Sequence, residues 1–133
     1  MKLFWITPKW PFPVADGARI ATTQLIKNLA QQGAAIHLCS LVPENEKVDL
    51  EQAKRELGVS RVTLIRRKNP GRAQQLFSLF RRPFFPITLS SCATHEIAEQ
   101  MHDLLAHESA DLIVYDGLHA AAWRFLSGRA TRL

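Results

Sequence analysis

Apolar residues in this chain fall into two kinds of run. Four are short and unbroken: 2–7 (KLFWIT), 35–42 (AIHLCSLV), 61–65 (RVTLI) and 111–115 (DLIVY). Runs of this length, rich in branched and aromatic residues and bounded by turn formers, read as buried strands. Between them the apolar positions recur at helical spacing. Thr22, Leu25, Ile26 and Leu29 share such a stripe in a helix that starts near Asp16, a suitable N-cap, and closes at Gly33. Val48, Leu50, Ala53 and Leu57 do the same over 48–57, before Gly58, as do Ile97, Met101, Leu104 and Leu105 over 93–107. A short helix is expected at 72–81 and another at 119–127, closed by Gly128.

Strands and helices thus alternate. Right-handed crossovers then give an α/β fold: a Rossmann-like, doubly wound parallel sheet, with spatial order 3-2-1-4. The whole chain, 1–133, forms one domain of this kind, since 133 residues suffice for one compact core and not two.

Composition changes this picture little; the placement of charge changes it more. The net charge is +5. From Leu57 to His95 there are seven Lys/Arg and no acid, whereas from Glu96 to Leu133 there are three against six. A basic middle segment fits an anionic partner (phospholipid, nucleic acid or a phosphorylated substrate) or is an ordinary solvated loop. Within it, 72–86 (RAQQLFSLFRRPFFP) sets Phe77 and Phe80 beside Arg81 and Arg82, with Phe84 and Phe85 beyond. That mixture suits the interface of an anionic membrane, or else packs under the sheet or over a cleft. No nucleic-acid motif accompanies the basic run, and nucleic acid is not an expected partner.

The N-terminal apolar stretch is stopped by Pro8 and is shorter than a signal-peptide core. The expected location is the cytoplasm, peripheral on the inner membrane face where the basic segment engages lipid. Two cysteines, Cys39 and Cys92, do not make a disulfide framework and fit a reducing compartment.

Order 3-2-1-4 puts a switch point between the first and fourth strands. Ligands of such sheets bind there, beyond the carboxyl ends of the strands. The segments meeting at that point are 8–17 and 116–119. Gly17 either lets the backbone approach a phosphate at the start of the following helix or is a plain turn glycine. Asp116 either accepts hydrogen bonds from ligand hydroxyls or caps the next helix, and His119 can donate, accept or titrate. Neither G-x-G-x-x-G nor a P-loop is present, so no nucleotide cofactor is expected. Cys92-x-x-His95 is half a zinc site without a matching pair, and His95 and His102 stand two turns apart; no metal is expected. The run Arg66-Arg67-Lys68 after the third strand opposes a receiver domain, which wants a phosphoacceptor aspartate there.

These residues also carry a likeness. The opening Thr7-Pro8-Lys9-Trp10-Pro11-Phe12-Pro13, then Asp16-Gly17 and Arg19, resembles the start of many retaining glycosyltransferases of family 4. The stretch from Pro83 to Asp116-Gly117-Leu118-His119 is similar to their proline-aromatic pair, amphipathic helix and D-x-L-H motif. Ala18 stands where the family has its second glycine.

The resemblance implies the N-terminal, acceptor-side half of a GT-B fold. It implies that Gly17 faces donor phosphates and that Arg19, Asp116 and His119 are substrate-binding. It further implies transfer of a sugar from a nucleotide-diphosphate-sugar to a glycan or lipid-linked acceptor, as in polysaccharide biosynthesis. The glutamates holding the donor lie in a C-terminal domain in that family. The main catalytic groups are accordingly expected outside this chain, and the isolated chain is expected to be inactive. The competing expectation is a stand-alone α/β binding module that contacts anionic membrane or nucleic acid through 61–82.

Overall fold

The computed structural model describes residues 1–68, 71–81 and 92–125. Its elements run β1 (Lys2–Thr7), α1 (Gly17–Gln31), β2 (Ala35–Pro43), α2 (Leu50–Leu57), β3 (Arg61–Arg67), α3 (Arg72–Arg81), α4 (His95–Ala106), β4 (Leu112–Tyr115), α5 (Leu118–Ala121) and a 3₁₀ turn (Ala122–Phe125). The four strands form one sheet, ordered β3-β2-β1-β4. Every pairing is parallel, with Leu3 opposite Ile36 and Leu112, and Cys39 opposite Thr63. The fold is therefore a Rossmann-like, doubly wound α/β sheet.

Alternation along the central strands divides the core in two. Leu3 and Trp5 of β1 join Ile36 and Leu38 of β2, and Ile26 and Leu57 of α1 and α2 close that face. Phe4 and Ile6 point the other way with Cys39, Leu41 and Ile65, under Ile97 and Met101 of α4 and Trp123 of the 3₁₀ turn. Strands buried on both faces need near-continuous apolar runs, which is how β1 and β2 read.

Local signals set the helix ends. The Asp16 carboxylate accepts the Arg19 N–H at 2.9 Å, and Asp49 and Thr94 cap α2 and α4 in the same way. Gly58 ends α2 in the left-handed region, at φ 71°, where a side chain would be strained.

Several details differ from the sequence pattern. Leu25 is exposed because Ile26 faces the sheet and its predecessor lies about 100° round the helix. Leu50, on the first turn of a short helix, is also exposed. β3 continues two residues further than its apolar run, to Arg67, because Arg66 and Arg67 still pair with Val42 and Pro43. The last helix is one α turn followed by 3₁₀, an arrangement in which Ala120, Ala122 and Trp123 are all buried. Arg82, Phe84, Phe85 and Gly128 lie outside the described residues. Among the described residues no helix is long and apolar enough to cross a membrane.

Candidate functional site

The carboxyl ends of the strands carry a cavity of about 460 Å³, within the range of small-molecule sites. Its walls include Lys9, Arg19, Thr22, Arg67, Asp116 and His119. The segments after β1 and β4 thus meet across one crevice, as the switch-point argument requires.

The loop after β1 is built to hold its shape. Trp10 and Phe12 are buried in the core beside Leu3 and Trp5, although the prolines around them mark a loop. Thr7 Oγ1 donates to the Lys9 carbonyl at 3.1 Å. Arg19 Nε donates to the Trp10 carbonyl at 2.8 Å, and its Nη1 donates to Asp16 Oδ2 at 2.8 Å. The N–H of Arg19 holds the Asp16 carboxyl below its ordinary range, helped by the charges of Arg19 and Lys9. Arg19 therefore braces the loop, and its guanidinium lines the cavity while paired with Asp16. Gly17 itself is exposed and is not among the residues that line the cavity; α1 contributes Ala18, Arg19 and Thr22 to its walls.

On the other side, the Asp116 N–H donates to the Ile6 carbonyl at 2.8 Å and continues the ladder between β1 and β4. The chain then turns at Gly117, with φ 86°, a conformation that favours glycine. Gly117, and not Asp116, occupies the N-cap of α5, and no side chain caps that helix. The capping alternative for Asp116 falls away. Its carboxylate instead accepts a hydrogen bond from Thr22 Oγ1 of α1, which ties the Asp116 loop to the helix that Gly17 begins. His119 is exposed on the first turn of α5 and lines the cavity.

Electrostatically the cavity is lopsided. Lys9, Arg19 and Arg67 are cationic, Arg19 being paired with Asp16, and Asp116 is the one carboxylate among its described lining residues. The N-terminus of α1 adds its positive end. A ligand with hydroxyls for Asp116 and anionic groups for the cations matches these walls.

The remaining sequence candidates, Cys92 excepted, lie elsewhere. On α3, Phe77 is 61% exposed and Phe80 89% exposed, and Arg81 is the helix's last residue. Cys39 is buried and Cys92 lines the cavity; neither is in a disulfide. Burial pushes the Cys39 thiol up to about 12. His102 packs edge-on against Trp123 at 5.3 Å, whereas His95 opens α4. Among the described residues no group of three His, Cys, Asp or Glu side chains could hold a metal.

Two features escaped the sequence reading. Arg67 reaches the cavity from the end of β3. At the opposite end of the sheet, buried His37 bridges Glu108 (Nδ1 to Oε2, 2.5 Å) and Thr63 (Nε2 to Oγ1, 2.8 Å) beside a second cavity of about 360 Å³. These three residues come from β2, β3 and the segment after α4, and only the pairing of the sheet brings them together. Comparison with protein-family models, curated proteins and solved structures finds no match for this chain.

Proposed function

We propose that this chain forms the acceptor-side wall of a retaining glycosyltransferase that moves a sugar from a nucleotide-sugar to a glycan or lipid-linked acceptor. The observation that carries the proposal is the hydrogen bond from Thr22 to Asp116 in the wall of one cavity. It ties the helix that begins within the first motif, 7–19, to the second, 116–119, the two stretches on which the likeness to family 4 rests.

On this proposal Asp116 and His119 orient acceptor hydroxyls. The N-terminus of α1, which Gly17 begins, and Arg19 face the donor phosphates. Sugar transfer requires stabilisation of a departing diphosphate and of an oxocarbenium-like centre by groups fixed around both. One wall cannot surround both, so the donor-binding carboxylates and the closure that excludes water are assigned to a second Rossmann-like domain.

The test has two parts. In calorimetric titration against a panel of oligosaccharides, the chain should bind at least one, and Asp116→Asn or His119→Ala should weaken it by about tenfold, the worth of a hydrogen bond to a charged group. Incubated alone with nucleotide-sugars and that acceptor, the chain should release no nucleoside diphosphate. Binding indifferent to both substitutions refutes the acceptor site. Turnover abolished by Gly17→Val or His119→Ala refutes the need for a second domain.

A second reading has its own observation. Leu76, Phe77 and Phe80 are exposed on α3, which starts at Arg72 and ends at Arg81. Apolar side chains between cations favour peripheral contact with an anionic leaflet, such as the cytoplasmic face of a membrane. Such contact would bring a lipid-linked acceptor to the cavity and complements the enzyme proposal.

A further inference from the structure

We infer that Arg67 is an anion anchor for the acceptor, taking a phosphate ester at the end of the cavity remote from Asp116 and His119. The inference rests on the acceptor-side reading of the cavity and extends it to the class of acceptor.

Arg67 ends β3, and Asp116 follows β4; these are the two edge strands of the sheet. Three strand spacings of about 4.8 Å separate them, roughly 14 Å in all. Both nevertheless line the same cavity. A ligand that touches both must be longer than one sugar hydroxyl and polar at each end.

The backbone of Arg67 is fixed, because it pairs with Pro43 and its carbonyl accepts from the Glu44 N–H at 3.0 Å. Its side chain is not satisfied in the same way. Nε is buried and has no hydrogen-bond partner among the described residues. The neighbouring arginines contrast with it. Arg66 Nη1 donates to the Pro43 and Glu46 carbonyls, and Arg19 is held by Trp10 and Asp16.

A guanidinium is always charged, and a buried N–H without an acceptor is unfavourable. The one carboxylate among the described lining residues, Asp116, is held by Thr22 at the far end. Lys9, exposed after β1, also lines the cavity and adds to its positive charge. A planar guanidinium fork is complementary to a phosphate ester, whose non-bridging oxygens can accept from Nε and a terminal nitrogen together.

The sheet thus sets hydroxyl recognition at one edge and anion recognition at the other. An acceptor with a sugar at one end and a phosphate at the other fits both, whether that phosphate is free in solution or joins the sugar to a lipid.

The experiment compares a neutral disaccharide, its 1-phosphate and its uronic-acid analogue in calorimetric titrations. A parallel arm uses vesicles of neutral phospholipid with and without a phosphate-linked glycolipid. The phosphorylated ligand should bind about tenfold tighter than the neutral one, as one charge-assisted pair allows. Arg67→Gln should abolish that advantage and leave neutral-sugar affinity unchanged, and Arg67→Lys should keep part of it. Thermal melts of both variants should be no lower than that of the parent, since the change removes a buried donor without a partner.

Arg67 dependence in the soluble arm identifies a free sugar phosphate; dependence confined to vesicles identifies a lipid-linked one. An advantage that survives Arg67→Gln, equal binding of the uronate, or no phosphate advantage in either arm overturns the inference. If Asp116→Asn leaves neutral-sugar binding intact while Arg67 dependence holds, the acceptor-side reading fails and the anion site stands.

Discussion

Replacing Thr22 by valine deletes one hydroxyl and keeps the shape of a buried side chain on α1. In the parent that hydroxyl donates to the Asp116 carboxylate, the only side-chain hydrogen bond between α1 and the loop after β4 among the described residues. A hydrogen bond to a charged group contributes about 1.5–3 kcal/mol; Asp116 is only half-buried, which places the loss near 1.5 kcal/mol. Unfolding entropy of about 2.1 cal/mol/K per residue over 133 residues is roughly 0.28 kcal/mol/K, so Tm should fall by about 5 °C. Differential scanning calorimetry on Thr22→Val, Asp116→Ala and the double variant gives the coupling directly. It should reach about 1 kcal/mol, because the second substitution removes a partner already lost. Thr22→Val melting within about 1 °C of the parent, or a cycle additive to within about 0.3 kcal/mol, would refute the claim that this contact fixes the two loops to each other.

Other outcomes follow from the same structure. Cys39, its thiol pushed up to about 12 by burial, should resist iodoacetamide at pH 8 in the native chain and react on unfolding; peptide mass spectrometry that finds it modified at the rate of an open thiol contradicts this. Tyr115, the only tyrosine, has its pKa raised above 10.0, chiefly by burial with Arg124 opposing. Its contribution to stability is therefore complete below pH 10 and declines as pH rises through the folded value, since the unfolded chain releases the proton first. Phenolate absorbance should show a midpoint above that of the unfolded chain, and a midpoint at or below it refutes the sign. Finally, Phe80→Ser should reduce co-sedimentation with anionic vesicles, and salt should weaken that binding further. Equal binding to neutral and anionic vesicles would remove the membrane reading.

How far the molecule was legible in its sequence differs from residue to residue. Apolar runs such as 2–7 and 35–42 read as strands buried on both faces, and alternation with right-handed crossovers narrowed the sheet to the doubly wound class, of which β3-β2-β1-β4 is the Rossmann-like order. Asp16, Gly33 and Gly58 marked helix ends through backbone chemistry that acts within a few residues. The switch point then drew 8–17 and 116–119 together. Contacts between distant residues were not legible. Thr22 reads as a helix residue until β4 is laid beside β1 and Asp116 comes within reach. His37, Thr63 and Glu108 are far apart in the chain and share no motif. Trp10 and Phe12 sit among prolines that mark a loop, yet they pack into the core. Arg67 looked like one member of a basic run; only its place at the end of β3 separates it from Arg66.

The most direct test of the central claim is a residue-resolved titration of the ¹⁵N-labelled chain with the tightest-binding oligosaccharide of the panel. Amide shifts at Lys9, Ala18, Arg19, Thr22, Asp116, Gly117 and His119 should move together and fit one dissociation constant, because one ligand fills one crevice between the two loops. Shifts confined to one loop, two unequal constants for the two loops, or a response centred on His37 and Glu108 instead would contradict it.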